Sequence, residues 1–450
     1  MSTDIPLALQ TTYADLVDRC ASAAFDDAFS DDGAFTPKTV RDRRYWYFQT
    51  STKGKRRQRY VGPETPELLE RIDQHKKARH DQRDRQTLVS TLVRSAHLPR
   101  PISEIGEILA ALAKAGVFRL RGVLVGTVAY QTYPAMLGTR LPAATIQTGD
   151  IDVAQFSDVS VAVGDSTPTI LDVLQEVDRS FRPIPSTHDS RRITTYEAKG
   201  GLRVDFLTPN KGPDTDAPRH LPALGTDAQP LRFLDFLIHE PQPAVVLHGT
   251  GIYVLVPAPE RYAVHKLIVA RRRHEGSAKR DKDIQQAEAL LAVLARKRAH
   301  ELKSVWTEAH DRGKTWRQLL GEGLGLIGPG IRDQTLKAIG APRSIVPGLD
   351  IEFAAPAARY DFDRDVVAFL GQAGGAAVRC AISREALEDH FDADRLDREG
   401  RLSKFREHRS EIQRLLQMKY LSWPVEEIGA VLIKTADVPK LRKILKKASK

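Results

Sequence analysis

Three short stretches carry residue types that could act together on a phosphate: Leu124-Val-Gly-Thr-Val-Ala129, Thr148-Gly-Asp-Ile-Asp152 and Arg203-Val-Asp-Phe-Leu207. Each reads as an apolar strand or its edge. Side chains alternate faces along a strand, so Asp150 and Asp152 project from one side with Ile151 buried behind them. Asp205, between Val204 and Phe206, likewise faces out from an apolar sheet. Three carboxylates on one sheet surface repel one another unless a divalent cation neutralises them. Mg²⁺ (or Mn²⁺ in its place) is the fitting ion, being hard and oxygen-seeking. Carboxylate-held metals lower the pKa of an attacking hydroxyl and stabilise a leaving oxygen. Gly126-Thr127 at a strand-to-helix turn brings backbone amides and one hydroxyl close to a phosphate. An Asp beside the nucleophile serves as second-metal ligand or general base. An Asp-x-Asp alone is more often a turn or a solvated face. It is Gly126-Thr127 before it and Val204-Asp205 after it that point to phosphoryl-group chemistry.

The elements that must position these residues follow from pattern. Gly122–Val125 reads as an apolar strand, followed by a short helix from about Thr127 and a strand at Ile151–Ala154. Arg191–Ala198 and Leu202–Leu207 read as a hairpin around Lys199-Gly200-Gly201, a turn that needs positive φ. Ile252–Val256 is a further strand. Pro259 introduces a helix over Arg261–His274, and a longer one spans Lys282–Lys303. Upstream, an aromatic strand Arg44–Gln49 and a basic strand Arg56–Val61 form a hairpin turning at Thr52–Lys55. Tyr45, Trp46 and Tyr47 are either core or a stacking surface for bases, with Arg56, Arg57 and Arg59 on phosphates. Pro66 opens a long charged helix to about Arg94. A helix over Ser103–Ala115 has Ser103 as candidate N-cap and Gly116 as stop, without a capping box because Gly106 occupies its third position.

At 450 residues the chain is long enough for about three folded units. We read 1–100 as an N-terminal region with the basic aromatic hairpin and charged helix, and 101–310 as the catalytic domain. Residues 311–348 are a glycine- and proline-rich linker, 349–438 a small α+β domain, and 439–450 a frayed basic tail. Hydrophobic residues make up 41%, which supports real cores, yet no run approaches the ~18 apolar residues of a membrane span. The first ten residues lack the pattern of a secretory signal. Two cysteines, Cys20 and Cys380, exclude a disulfide framework and a Cys-based zinc site, and make the cytoplasm the expected compartment. The net charge is +10, and residues 41–100 hold 16 Lys/Arg against 7 Asp/Glu. That surplus either favours a polyanionic partner or is a solvated face.

The Gly126-Thr127, Asp150-Ile-Asp152, Val204-Asp205 series resembles the DNA polymerase β-like nucleotidyltransferase superfamily. More closely, from the hairpin at Tyr45–Tyr60 through Leu231–Phe236 and Pro257–Lys266, the chain resembles an uncharacterised bacterial nucleotidyltransferase-fold family over about residues 40–300. Residues 349–438, with Ala381–Phe391, look like a small bacterial domain of unknown function. The resemblance implies an α+β nucleotidyltransferase-fold mixed sheet flanked by helices, an N-terminal β-hairpin plus helices, and a separate small C-terminal α+β domain. It also implies transfer of a nucleotide from an NTP such as ATP to an acceptor hydroxyl, with RNA or a tRNA end, a protein or a small molecule as acceptor. A fold kept as a non-catalytic binding module is the alternative. Gly126, Thr127 and Lys266 would meet the nucleotide; Asp150, Asp152 and Asp205 would be catalytic and metal-binding. Lys266 by itself reads equally as a surface lysine, and His265 as a packed one. The pattern departs from the superfamily in Thr127, where Gly or Ser is usual, and in the 22 residues between Thr127 and Asp150. That spacing requires an insertion, for which Leu137–Gln147 is a candidate.

Overall fold

A computed structural model of the chain describes residues 3–28, 33–40, 43–52, 55–74, 82–142, 149–157, 166–353, 358–422 and 430–448. They form two compact units, Met1–His265 and Lys266–Lys450. Elements of both classes occur throughout, as the α+β expectation required.

In the first unit, β1 (Gly33–Val40), β2 (Arg43–Thr52) and β3 (Lys55–Pro63) make a three-stranded antiparallel sheet. The expected hairpin is therefore part of a larger sheet. Strand β1, with Pro37 and three Thr or Lys positions, lacked the apolar alternation that reveals a strand. It sets Phe35 opposite Phe48, and Phe48 is buried against Phe35, Val61, Leu68 and Ile72. The turn residues Lys53 and Gly54, and the side chains of Arg56 and Arg57, lie outside what is described. The charged stretch after Pro66 contains the helices Pro66–Gln74 and Gln82–Arg94, with 75–81 outside the described residues. A helix the sequence did not disclose, Leu7–Ala28, packs Tyr13, Leu16 and Cys20 against Leu92, Val245 and Leu247.

The helix Ser103–Lys114 starts one residue earlier than its cap was expected. Ile102 is the N-cap without a side-chain bond, and the Ser103 hydroxyl donates instead to Glu107 at 3.1 Å. Gly116, at φ +93°, ends it as expected.

The central sheet contains β4 (Val123–Val125), β5 (Asp150–Ala154), β6 (Arg182–Pro185), β7 (Ile193–Glu197), β8 (Arg203–Pro209), β9 (Arg219–Leu221) and β10 (Thr226–Leu231). Its main order is β4-β5-β8-β10-β9, with β7 also on β8 and β6 on β7. Pairs β5/β8 and β8/β10 are parallel and the others antiparallel, so the sheet is mixed. A parallel neighbour needs a long crossover. Between β5 and β8 that crossover includes the helix Ile170–Val177 and the β6–β7 hairpin. The expected Lys199–Gly201 turn joins β7 to β8, with Gly201 at φ +80°. A separate ribbon pairs β11 (Gln242–Val246) with β12 (Ile252–Val256).

In the second unit, one expected helix over Lys282–Lys303 is two, Ala278–Lys297 and Ala299–Asp311, broken at Arg298, whose φ is −139°. The segment 311–348, read as a linker, carries the helices Lys314–Gly325 and Pro329–Ile339, with Leu320, Leu324, Leu336 and Ile339 buried. Its glycines serve close packing rather than flexibility. A Cβ on Gly321 would meet the Ile345 carbonyl oxygen at 2.0 Å, and one on Gly323 would meet Leu267 at 2.8 Å. The last sheet runs β13 (Arg359–Asp361), β14 (Val366–Ala373), β15 (Ala376–Ser383) and β16 (Ala430–Ile433), with β15/β16 parallel. The basic tail is not frayed: Asp437–Ala448 is helical, and Val438 and Leu441 are fully buried.

Both cysteines are free and buried. Burial pushes the Cys380 thiol up to about 12. At about pH 8.5, where an ordinary thiol is half ionised, Cys380 should therefore resist a thiol reagent until denaturant opens the fold. Labelling of the native protein at the rate of a free thiol would refute its burial. The sign of the pH effect follows. The neutral thiol is favoured in the folded state, so stability is full below the ordinary thiol value and declines as pH rises from there toward about 12.

Candidate active site

Strand β5 delivers Asp150 and Asp152 as its alternation dictates. Ile151 and Val153 are buried, while the two aspartates between and beside them are partly exposed. Strand β8 repeats the pattern, with Val204 and Phe206 buried around Asp205. The parallel register sets Asp150 opposite Arg203 and Asp152 opposite Asp205. Neighbouring strands lie about 4.8 Å apart, so Asp152 and Asp205 are direct neighbours on one face and Asp150 is two residues along the same row.

On its other edge β5 pairs with β4, Val125 opposite Asp152. The chain then turns at Gly126, whose φ is +65°. This turn brings the Gly126 backbone against the carboxylate: a Cβ there would sit 2.1 Å from Asp152 Oδ2. The Tyr262 hydroxyl donates to the Gly126 carbonyl oxygen at 3.0 Å. Tyr262 is itself packed edge-on to Tyr133, with ring centroids 5.1 Å apart, and the Tyr133 hydroxyl donates to the Pro257 carbonyl at 3.0 Å. Burial holds the Tyr133 hydroxyl well above its ordinary pKa, so it remains a donor at neutral pH. Thr127 follows as the second residue of the short helix Gly126–Tyr130. The structure therefore brings Gly126, Thr127, Asp150, Asp152 and Asp205 together. Of the candidate insertion, residues 143–147 lie outside the described residues; the described part, from Leu137 to Pro142, leaves the β4/β5 pairing in place.

Asp205 has two partners that sequence reasoning did not find. The Thr195 hydroxyl donates to its Oδ1 at 2.5 Å, and Arg203 Nε donates to the same oxygen at 3.0 Å. Arg203 Nη2 also donates to Thr195 Oγ1 at 3.3 Å. The Arg-x-Asp spacing was a local signal for Arg203. Thr195 had none, because it reaches Asp205 only through the β7/β8 pairing.

The donor set suits a hard divalent cation: all three acids offer carboxylate oxygens, and the absence of a side chain at Gly126 leaves the Asp152 carboxylate its space. Among the described residues no three acidic, His or Cys side chains are already drawn into a metal cage. Both hydrogen bonds to Asp205 fall on Oδ1.

Lys266 lies in the second unit. Its ammonium donates to Asp283 Oδ1 at 2.5 Å, and Arg273 Nε stands 2.7 Å from Oδ2 of the same carboxylate. Asp283 is buried. In the N-terminal sheet, Tyr47 packs edge-on to Tyr60 at 5.7 Å and Trp46 Nε1 donates to Glu64 at 2.9 Å. Much of that aromatic surface is thus engaged within the sheet.

No helix among the described residues is long and apolar enough to cross a membrane. Residues 103–311 match a family model described as Nucleotidyltransferase. Residues 351–433 match one described as Protein of unknown function (DUF1488), and residues 7–71 one described as Domain of unknown function (DUF6788). No curated protein and no solved structure matches the chain. The aromatic hairpin, which the resemblance joined to the catalytic domain, falls in the separate N-terminal match. The Nucleotidyltransferase match encloses all five residues gathered at the end of β4 and on β5 and β8. Residues 103–311 are a nucleotidyltransferase-family domain, carried between two domains of unknown function.

Proposed function

We propose that the chain transfers a nucleoside monophosphate from an NTP to an acceptor hydroxyl, with Mg²⁺ or Mn²⁺ as cofactor. The acceptor oxygen forms a bond to the α-phosphorus, the α–β bridging bond breaks, pyrophosphate leaves, and the hydroxyl proton passes to a base. The observation that carries this reading is the β5/β8 register, which pairs Asp152 with Asp205 on the face that also holds Asp150. Asp150 and Asp152 would hold the cation, with Asp205 as third carboxylate or proton acceptor. When bound, the cation supplies charge neutralisation for the reacting phosphate and acidifies the attacking hydroxyl. The Thr195 and Arg203 bonds hold Asp205 in orientation, and Thr127, next after Gly126, would offer its hydroxyl to a phosphate. Lys266, committed to Asp283, carries no step. The basic N-terminal region makes RNA, such as a tRNA end, the favoured acceptor over a protein or small-molecule hydroxyl.

A non-catalytic binding module is the second reading, favoured by the arginine already paired with Asp205. One experiment separates the two. The protein is incubated with Mg²⁺, each α-labelled NTP, and bacterial RNA plus protein extract, beside an Asp150→Ala/Asp152→Ala double variant. Label in an RNA or protein band that disappears in the variant is the expected result and identifies the acceptor class. Absence of any NTP binding removes the enzyme reading.

A further inference from the structure

Within the first unit, a cavity of about 760 Å³ opens where the N-terminal helices, the first sheet and the helix Ser103–Lys114 meet the turn after β11. Four permanently charged side chains line it: Arg71, Arg85, Lys114 and Arg119. His248 joins them, and no Asp or Glu is in the lining. The cavity shares no lining residue with the Gly126, Asp150, Asp152 and Asp205 site. In a chain whose acids nearly balance its bases, 58 against 68, a wall of one sign is a local arrangement and not a reflection of composition. Low-dielectric walls around such a cleft concentrate positive potential and raise the local concentration of anions.

Several of these groups are held in place. Arg119 Nη1 donates to the Tyr60 carbonyl oxygen at 2.8 Å. Arg71 hydrogen-bonds the Tyr253 hydroxyl, which also feels Asp18 from outside the lining. The His248 ring sits so close to the Ser103–Lys114 helix that a Cβ on Gly106 would be 2.2 Å from Nδ1. The missing side chain at Gly106 is therefore what seats the imidazole. Phe118, Ala110 and Tyr253 also line the cavity and give it apolar surface beside the cations.

We infer that this cavity binds a nucleoside phosphate, with the phosphates on Arg71, Arg85, Lys114 and Arg119 and the base against the Phe118 and Tyr253 side. Its volume falls within the ~300–1,000 Å³ of small-molecule sites, and guanidinium groups suit phosphate through paired N–H donors. The site contains no carboxylate to hold a divalent cation, so binding here does not require one. That separates it from the proposed reaction, and the two stand or fall independently.

The test is calorimetric titration of the full-length protein with ADP and with pyrophosphate, in EDTA at low salt. It is repeated on Lys114→Glu, Arg71→Glu and the double variant Asp150→Asn/Asp152→Asn. Lys114 is exposed on its helix, so its replacement leaves the fold in place. The expected result is metal-independent ADP binding that either charge reversal weakens about tenfold or more and the carboxylate variant leaves unchanged. Absence of ADP binding in EDTA overturns the inference. So does binding that both charge reversals spare, or that the carboxylate variant removes. Pyrophosphate binding as tightly as ADP overturns the nucleoside part.

Discussion

Replacing Gly126 with alanine should lower nucleotidyl transfer about 100-fold while the protein stays folded. Two independent penalties meet at this residue. Its φ of +65° lies in the left-handed region, where an L side chain costs roughly 1–2 kcal/mol. The new Cβ would also stand 2.1 Å from Asp152 Oδ2 and 3.2 Å from its Cγ. Asp152 cannot retreat with its strand, because Ile151 and Val153 on either side are fully packed. Either the carboxylate rotates away or the Gly126–Thr127 backbone lifts. Each displaces a reacting group by about 1 Å, a misplacement that costs on the order of 10²-fold in rate. Gly149→Ala is the matched control, since a Cβ there meets nothing within 4 Å, and it should transfer at close to the parent rate. The kcat/KM values of the two variants, read beside their melting curves, decide the point. Equal rates would mean that the Gly126 turn does not position the chemistry.

The largest stability effect is expected at Asp283. Asp283 is 3% exposed, and its carboxylate stands between two cations, the Lys266 ammonium at 2.5 Å and Arg273 Nε at 2.7 Å. The lysine contact is an aligned hydrogen bond; the arginine one is an ion pair without that alignment. Asp283→Ala would leave two positive groups facing a void. Removing one member of a buried pair typically costs about 3–5 kcal/mol. Arg273 retains 36% of its side-chain exposure, so water screens part of the uncompensated charge, and we place the loss near 3 kcal/mol. For a unit of this size that lowers the melting midpoint by on the order of 10 °C. Asp283→Asn, which keeps an acceptor for Lys266, should lose less. A melting curve for Asp283→Ala that overlays the parent would show that the triad contributes nothing to stability.

The site was legible because its signals are local. Alternation around Ile151 and Val204 faces the aspartates outward whatever the rest of the chain does, and Gly-Thr after an apolar run marks a turn. The same logic failed wherever meaning depended on a distant partner. Glycines near 321–323 read as a flexible linker, but they are small so that the Ile345 carbonyl and Leu267 can approach. The lysine-rich end read as frayed, although Val438 and Leu441 give it a buried stripe. Strand β1 was invisible because its value lies in pairing Phe35 with Phe48.

Residue type and spacing along the chain determined the α+β class, the face each aspartate takes, and the kind of chemistry three carboxylates and a Gly-Thr turn are suited to. Tertiary structure alone decided that Asp152 lies beside Asp205, that Thr195 and Arg203 hold Asp205, that Lys266 pairs with Asp283, and that four basic side chains from three helices and a turn line one cavity. The physical reason is that alternation and turn propensity act over a few residues. Register between strands, burial of a charge and closure of a cavity are set by segments tens to hundreds of residues apart.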